Sequence, residues 1–150
     1  MKKQLFPFAT IVAFVFLTVT GCGKDDDTTT PAPTKTELIT KSSWSFDHAT
    51  SGGMDISGSV PACYKDNVVT FTSSTNGTVA NTVVCTPTDN TPATFTWSWQ
   101  SSETIVRLSA PLFPGGTGDF NLVSLTATSL VVEQTVNFGA PTSVTFYYKH

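Results

Sequence analysis

From residue 43 onward, apolar and polar residues alternate with a period of two in short runs, and no run carries the 3.6-residue spacing of an amphipathic helix. The clearest run is Thr94–Gln100. Phe95, Trp97 and Trp99 fall on one face, and Thr94, Thr96 and Ser98 on the other. The same reading predicts strands at Ser43–Ala49, Asn67–Thr72, Thr78–Cys85, Thr94–Gln100, Thr104–Ser109, Asp119–Leu125, Ser129–Val136 and Ser143–Lys149. One helical turn is expected at Thr36–Thr40. Turn signals separate most of the strands: Asn76-Gly77, Ser101-Ser102-Glu103 and the stretch from Asn137 to Pro141. Short strands in regular succession predict an all-β antiparallel barrel or sandwich.

The alternation also predicts a register. Pairing Trp99 with Thr104 sets Trp97 opposite Val106 and Phe95 opposite Leu108, leaving Ile105 and Arg107 on the polar side. Val69, Phe71, Phe120, Leu122, Leu130, Val132, Val144, Phe146 and Tyr148 extend the apolar face onto other strands. A slip of one residue would expose that whole set, so the faces are strongly specified.

The first 42 residues read differently. Lys2 and Lys3 precede an apolar run to Val19, too short for a membrane span and suited to an export signal. Val19-Thr20-Gly21-Cys22 resembles the lipobox of bacterial lipoproteins, in which the cysteine is acylated and becomes the first mature residue. The alternative is an ordinary signal peptide with an incidental cysteine. Acylation would give a stable anchor, since each buried methylene contributes about 0.8 kcal/mol and more than one chain is attached. Lys24-Asp25-Asp26-Asp27 resembles the acidic signal that directs some lipoproteins of Gram-negative bacteria to the cell surface; a solvated spacer is the alternative. The Thr/Pro-rich stretch after it suits an extended tether. The organisation expected is therefore a signal at 1–21, a lipidated tether at 22–36 and a domain at 37–150, placed at the outer membrane with the cell surface as the favoured face.

Composition narrows the partners. The chain carries 8 basic and 11 acidic residues; removing Lys2 and Lys3 leaves 6 − 11 = −5, which argues against nucleic acid. The part from Cys22 onward holds 24 Thr and 15 Ser, a bias toward strands. Cys63 and Cys85 are an even pair in an oxidising compartment, and a hairpin turning near Ser73–Gly77 would bring them to one end, so a disulfide is expected. A metal site is the weaker alternative, because neither cysteine has a ligand at suitable spacing.

Several of these residues together resemble a known family. Trp44, the run from Cys63 to Asn67, Phe71, Asn76-Gly77-Thr78, Leu122, the run from Leu125 to Val132 and Phe146-Tyr147-Tyr148-Lys149 are similar to the bacterial lipocalin-like domain of small surface lipoproteins. The resemblance implies an eight-stranded antiparallel up-and-down β-barrel closed by its first and last strands. It implies no catalytic set and no defined ligand. The Gly-rich segment Ser51–Ala62 departs from the pattern and would either lie over a barrel end or stay flexible.

Function is less legible. Phe71, Phe95, Trp97, Trp99, Phe120, Phe146 and Tyr148 are the candidate lining of a cavity for a small apolar or amphipathic ligand; the same residues equally suit a solid core. In the second case the barrel would be an interaction module, with Ser51–Ala62 and Leu112–Gly118 meeting a protein or glycan. Asp47-His48 lacks an accompanying nucleophile motif and reads as strand surface, so no enzyme and no cofactor are expected. Asp66-Asn67 reads as a turn cap, with a calcium role the lesser alternative, and Pro114–Gly118 as a flexible connection at a barrel mouth.

Overall fold

A computed structural model describes residues 31–83, 93–137 and 139–150. The elements run α1 (Lys35–Thr40), β1 (Ser43–Ser51), β2 (Met54–Asp55), a 3-10 turn (Ser57–Ser59), α2 (Ala62–Lys65), β3 (Val68–Phe71), β4 (Asn76–Ala80), β5 (Thr94–Gln100), β6 (Ile105–Leu108), β7 (Asp119–Leu125), β8 (Ser129–Asn137) and β9 (Pro141–Lys149). Every pairing is antiparallel, and β3 to β8 each pair with the next strand in sequence. β1 pairs with both β3 and β9, so eight strands close into an up-and-down barrel. β2 is a two-residue extension paired only to β1. The expected fold class is what the chain adopts.

Two bulges bend the wall where one strand carries an extra residue. The β1–β9 register shifts between Phe46 and His48, and the β7–β8 register between Leu122 and Ser124. The second bulge accounts for Val123, which is apolar yet exposed. The first releases Asp47 to the outer wall, where its carboxylate accepts from the Lys149 ammonium and from His48 Nδ1 (2.8 Å). Those two hydrogen bonds, Lys149's the larger influence, hold the Asp47 pKa below its ordinary value. His48 stacks on Tyr147 with ring centroids 4.0 Å apart.

Three expectations of local geometry need correction. Trp97 faces Leu108 and Trp99 faces Val106, two residues away from the predicted register. The reason is the turn: Ser101, Ser102 and Glu103 all take left-handed φ values (51°, 55° and 62°), and Thr104 N–H closes the turn onto the Gln100 carbonyl rather than joining the ladder to Trp99. A shift of two preserves the faces, so the apolar set stays inward. Asn76-Gly77 is not the turn but the start of β4, with the reversal at residues 72–75 and the Thr72 N–H donating to the Asn76 carbonyl at 2.9 Å. Gly77 is needed there for space: a Cβ would run into the Phe95 ring and lie 2.8 Å from the Thr70 carbonyl oxygen. β4 also ends at Ala80, short of the predicted Cys85, which lies outside the described residues.

Both ends of the barrel are filled. At one end lies α1, started by a capping box in which Glu37 N–H donates to Thr34 Oγ1 and Thr34 N–H donates to Glu37 Oε2. Ile39 of α1 is fully buried, and its carbonyl accepts from Trp44 Nε1 at 2.8 Å. Trp99 Nε1 donates to Thr36 Oγ1, and Lys35 Nζ to the Glu103 carbonyl, tying α1 to the β5–β6 turn. The opposite end, the loop end, is covered by α2 with the connection leading into it from β2, and by the long β6 to β7 connection. They insert Val60, Tyr64, Leu112 and Phe113, all buried.

Candidate functional site

The seven aromatic candidates are brought together, but as a packed core. Phe71, Phe95, Trp97, Phe120, Phe146 and Tyr148 are each at most 5% exposed, and Trp99 packs against the same cluster partly buried. Their rings meet edge to face: Phe71 with Phe95 and Trp97, and Trp97 with Trp99, at centroid distances of 5.0–5.6 Å. Trp97 Nε1 donates to the Ser73 carbonyl at 2.9 Å, so its indole is satisfied by the chain itself. The space remaining at the barrel centre is ≈ 20 Å³, bounded by Ile39 from one end, Leu112 from the other and Phe71, Phe120 and Tyr148 from the walls. That is about the room of one water, well below the roughly 300 Å³ of a small-molecule pocket.

Of the seven candidates, Tyr148 alone carries a hydroxyl. Its oxygen is buried without a hydrogen-bond partner, and burial pushes its pKa well above the ordinary tyrosine value.

A larger recess lies at the loop end. Val60, Pro61, Tyr64, Phe113, Pro114, Gly115, Asn137 and Phe146 line ≈ 220 Å³ of space that opens to solvent. Phe113 stacks flat on Phe146, with centroids 4.5 Å apart and planes within 6°, and Tyr64 meets Phe113 edge-on at 5.9 Å. The wall is held by backbone and by one buried side chain. Asn137 N–H donates to the Gly115 carbonyl at 2.9 Å, and Gly116 N–H to the Phe113 carbonyl at 3.1 Å. Gly115 has φ +72°, and a Cβ there would lie 2.5 Å from the Asn137 carbonyl oxygen, so glycine permits the approach. Gln134 is 1% exposed, and its amide nitrogen donates to the carbonyls of Thr117 (2.5 Å) and Asp119 (3.1 Å). The connection expected to be flexible is therefore hydrogen-bonded along its length.

Asp66 also departs from its expected role as a local cap. Its Oδ2 accepts from Thr82 N–H (2.9 Å), Thr82 Oγ1 (2.6 Å) and Val83 N–H (2.7 Å), sixteen and seventeen residues downstream. The Thr82 hydroxyl, then the two backbone donors, hold its pKa below the ordinary aspartate value. Cys63, three residues before it, is buried, and its expected partner Cys85 lies outside the described residues, as do Cys22 and the signal segment. Among the described residues no cluster of three or more His, Cys, Asp or Glu side chains could hold a metal ion, and no helix is long and apolar enough to cross a membrane.

Sequence reasoning missed Gln134, Val60 and Phe113 as determinants of the loop end. Gln134 had a signal: it shares the inward parity of Leu130, Val132 and Val136. Leu112-Phe113, an apolar pair between Pro111 and Pro114 in a connection, is the mark of a loop anchored in a core. Comparison of the sequence with protein-family models and with curated proteins gave no match.

Proposed function

We propose that this protein is a non-catalytic binding module, a filled barrel that recognises its partner through the loop end and not through its lumen. The observation that carries the reading is the contrast in space: ≈ 20 Å³ at the centre against ≈ 220 Å³ of preformed apolar recess between the Ser51–Ala62 and Leu112–Gly118 connections. Preformed, mostly apolar concavities at barrel mouths are where ligands bind. The lipocalin-like resemblance remains the family reading, supported by the closed eight-strand topology.

The sequence supports an outer-membrane lipoprotein, anchored through acylated Cys22 and displayed at the cell surface. Thr34, which caps α1, lies at the barrel end opposite the recess. Metabolic labelling with a palmitate analogue, lost in Cys22→Ser, tests the anchor; protection from protease in intact cells would overturn surface display. A Cys63–Cys85 bridge belongs to the same reading. Support comes from the burial of Cys63 and from Asp66, which ties residues 82 and 83, just before Cys85 in sequence, to the end of α2 that carries Cys63. Free thiols at both positions in denatured, unreduced protein would refute it.

A small-molecule thermal-shift screen, followed by NMR mapping of every stabilising compound, tests the binding reading. Shifts gathered at Val60, Tyr64, Phe113 and Asn137 are expected. Shifts gathered at Phe71, Phe120 and Tyr148 would restore the lumen as the site.

A further inference from the structure

We infer that the loop-end recess binds one compact apolar ring, the monocyclic aromatic portion of a small molecule, and this rests on the loop end being the recognition surface. Size is the first argument. An apolar cavity of about 150 Å³ is known to stay dry and admit benzene, and ≈ 220 Å³ leaves room for a ring with a small substituent.

Shape is the second. Phe113 and Phe146 lie nearly parallel, and Tyr64 stands edge-on to the first, so an entering ring meets an aromatic wall for offset or edge-to-face contact. Pro61 and Pro114 stiffen the margins, and Val60 adds a branched aliphatic surface.

Polarity is the third. The Asn137 N–H already donates to Gly115, and Asn137 Oδ1 already accepts from Gly139 N–H at 3.0 Å. Water inside the recess therefore finds these groups engaged, and an apolar guest displaces it favourably. Because Gln134, Gly115 and Gly116 hold the wall in place, the guest need not order a loop on entry, which is the usual cost of binding at a connection.

The test uses toluene as the probe on the full chain, followed by NMR. Saturable shifts are expected at Val60, Tyr64, Phe113 and Phe146. Val60→Phe, which places a ring in the recess, is expected to weaken toluene by about tenfold or more. Crystals of the unmodified protein under xenon pressure give a second reading independent of any variant, with a peak expected beside Phe113 and Phe146. Absence of both the saturable shifts and the xenon peak overturns the inference, as does toluene binding unchanged by Val60→Phe. If toluene fails while compounds from the screen still map to the loop end, the ring specificity falls and the recognition surface stands. Compounds mapping to the lumen defeat both.

Discussion

The Gln134 amide reaches out of β8 to the Thr117 and Asp119 carbonyls, so a single buried side chain fastens the β6–β7 connection across the loop end. Its nitrogen serves these two carbonyls and, at 3.4 Å, the Thr117 hydroxyl, while its own oxygen is left without a partner and lies against Gly116.

Replacing Gln134 by Leu keeps the bulk and removes the donor. The Thr117 carbonyl loses the Gln134 donor and the Asp119 carbonyl keeps only the Thr117 hydroxyl (3.3 Å), with an expected cost of about 1–3 kcal/mol in chemical unfolding. Amide exchange at residues 115–119 should accelerate more than exchange in β9. A uniform acceleration across the barrel would show that Gln134 is not acting as a local clasp.

Gly77 and Phe95 form a pair whose coupling is measurable. Gly77→Ala is expected to destabilise by about 1–3 kcal/mol, because the new methyl group meets the Phe95 ring. Part of that cost should vanish in the background Phe95→Leu, and the double-mutant cycle reads the difference. Strict additivity would mean that the Thr70 carbonyl, not the ring, sets the limit.

Tyr148 offers a gain. Its buried hydroxyl has no partner, so Tyr148→Phe removes a desolvated group and leaves the packing with Phe46 in place. Stability is expected to rise by about 1 kcal/mol, seen as a higher unfolding midpoint. A loss of similar size would show that the hydroxyl is held by a bond in solution.

Acid should loosen the link between Asp66 and Thr82. The folded carboxyl has a lowered pKa, so its contribution is fully present above the ordinary aspartate value near about 3.9 and is lost as pH falls through the folded value. Asp66→Asn is expected to be less stable than the parent at neutral pH, with the gap closing in acid. Parallel stability curves down to the acid limit would refute the assignment.

The fold was legible because inward parity survives errors of two. Trp97 and Trp99 keep their faces although their partners moved by a full repeat, since the left-handed run at Ser101–Glu103 has no glycine to announce it. Asn76-Gly77 misled for the opposite reason: the dipeptide is a hairpin signal, yet here its glycine answers a tertiary demand from Phe95. The candidate site was less legible. Aromatic parity identifies an interior without stating whether it is hollow, and the answer depends on Ile39 and Leu112, which enter from outside the strands. The recess itself is made by Val60, Tyr64 and Phe113, on two connections and the short helix α2, where strand alternation carries no information.

Pairing β1 with β9 has a bearing on how such chains behave when crowded together. A Thr- and Val-rich polypeptide in open sheets would offer unpaired backbone to its neighbours and invite edge-to-edge polymerisation. Here the ring consumes those edges, and among the described residues the strand paired on only one side is β2, two residues long. Many copies can then stand side by side at high density without templating one another.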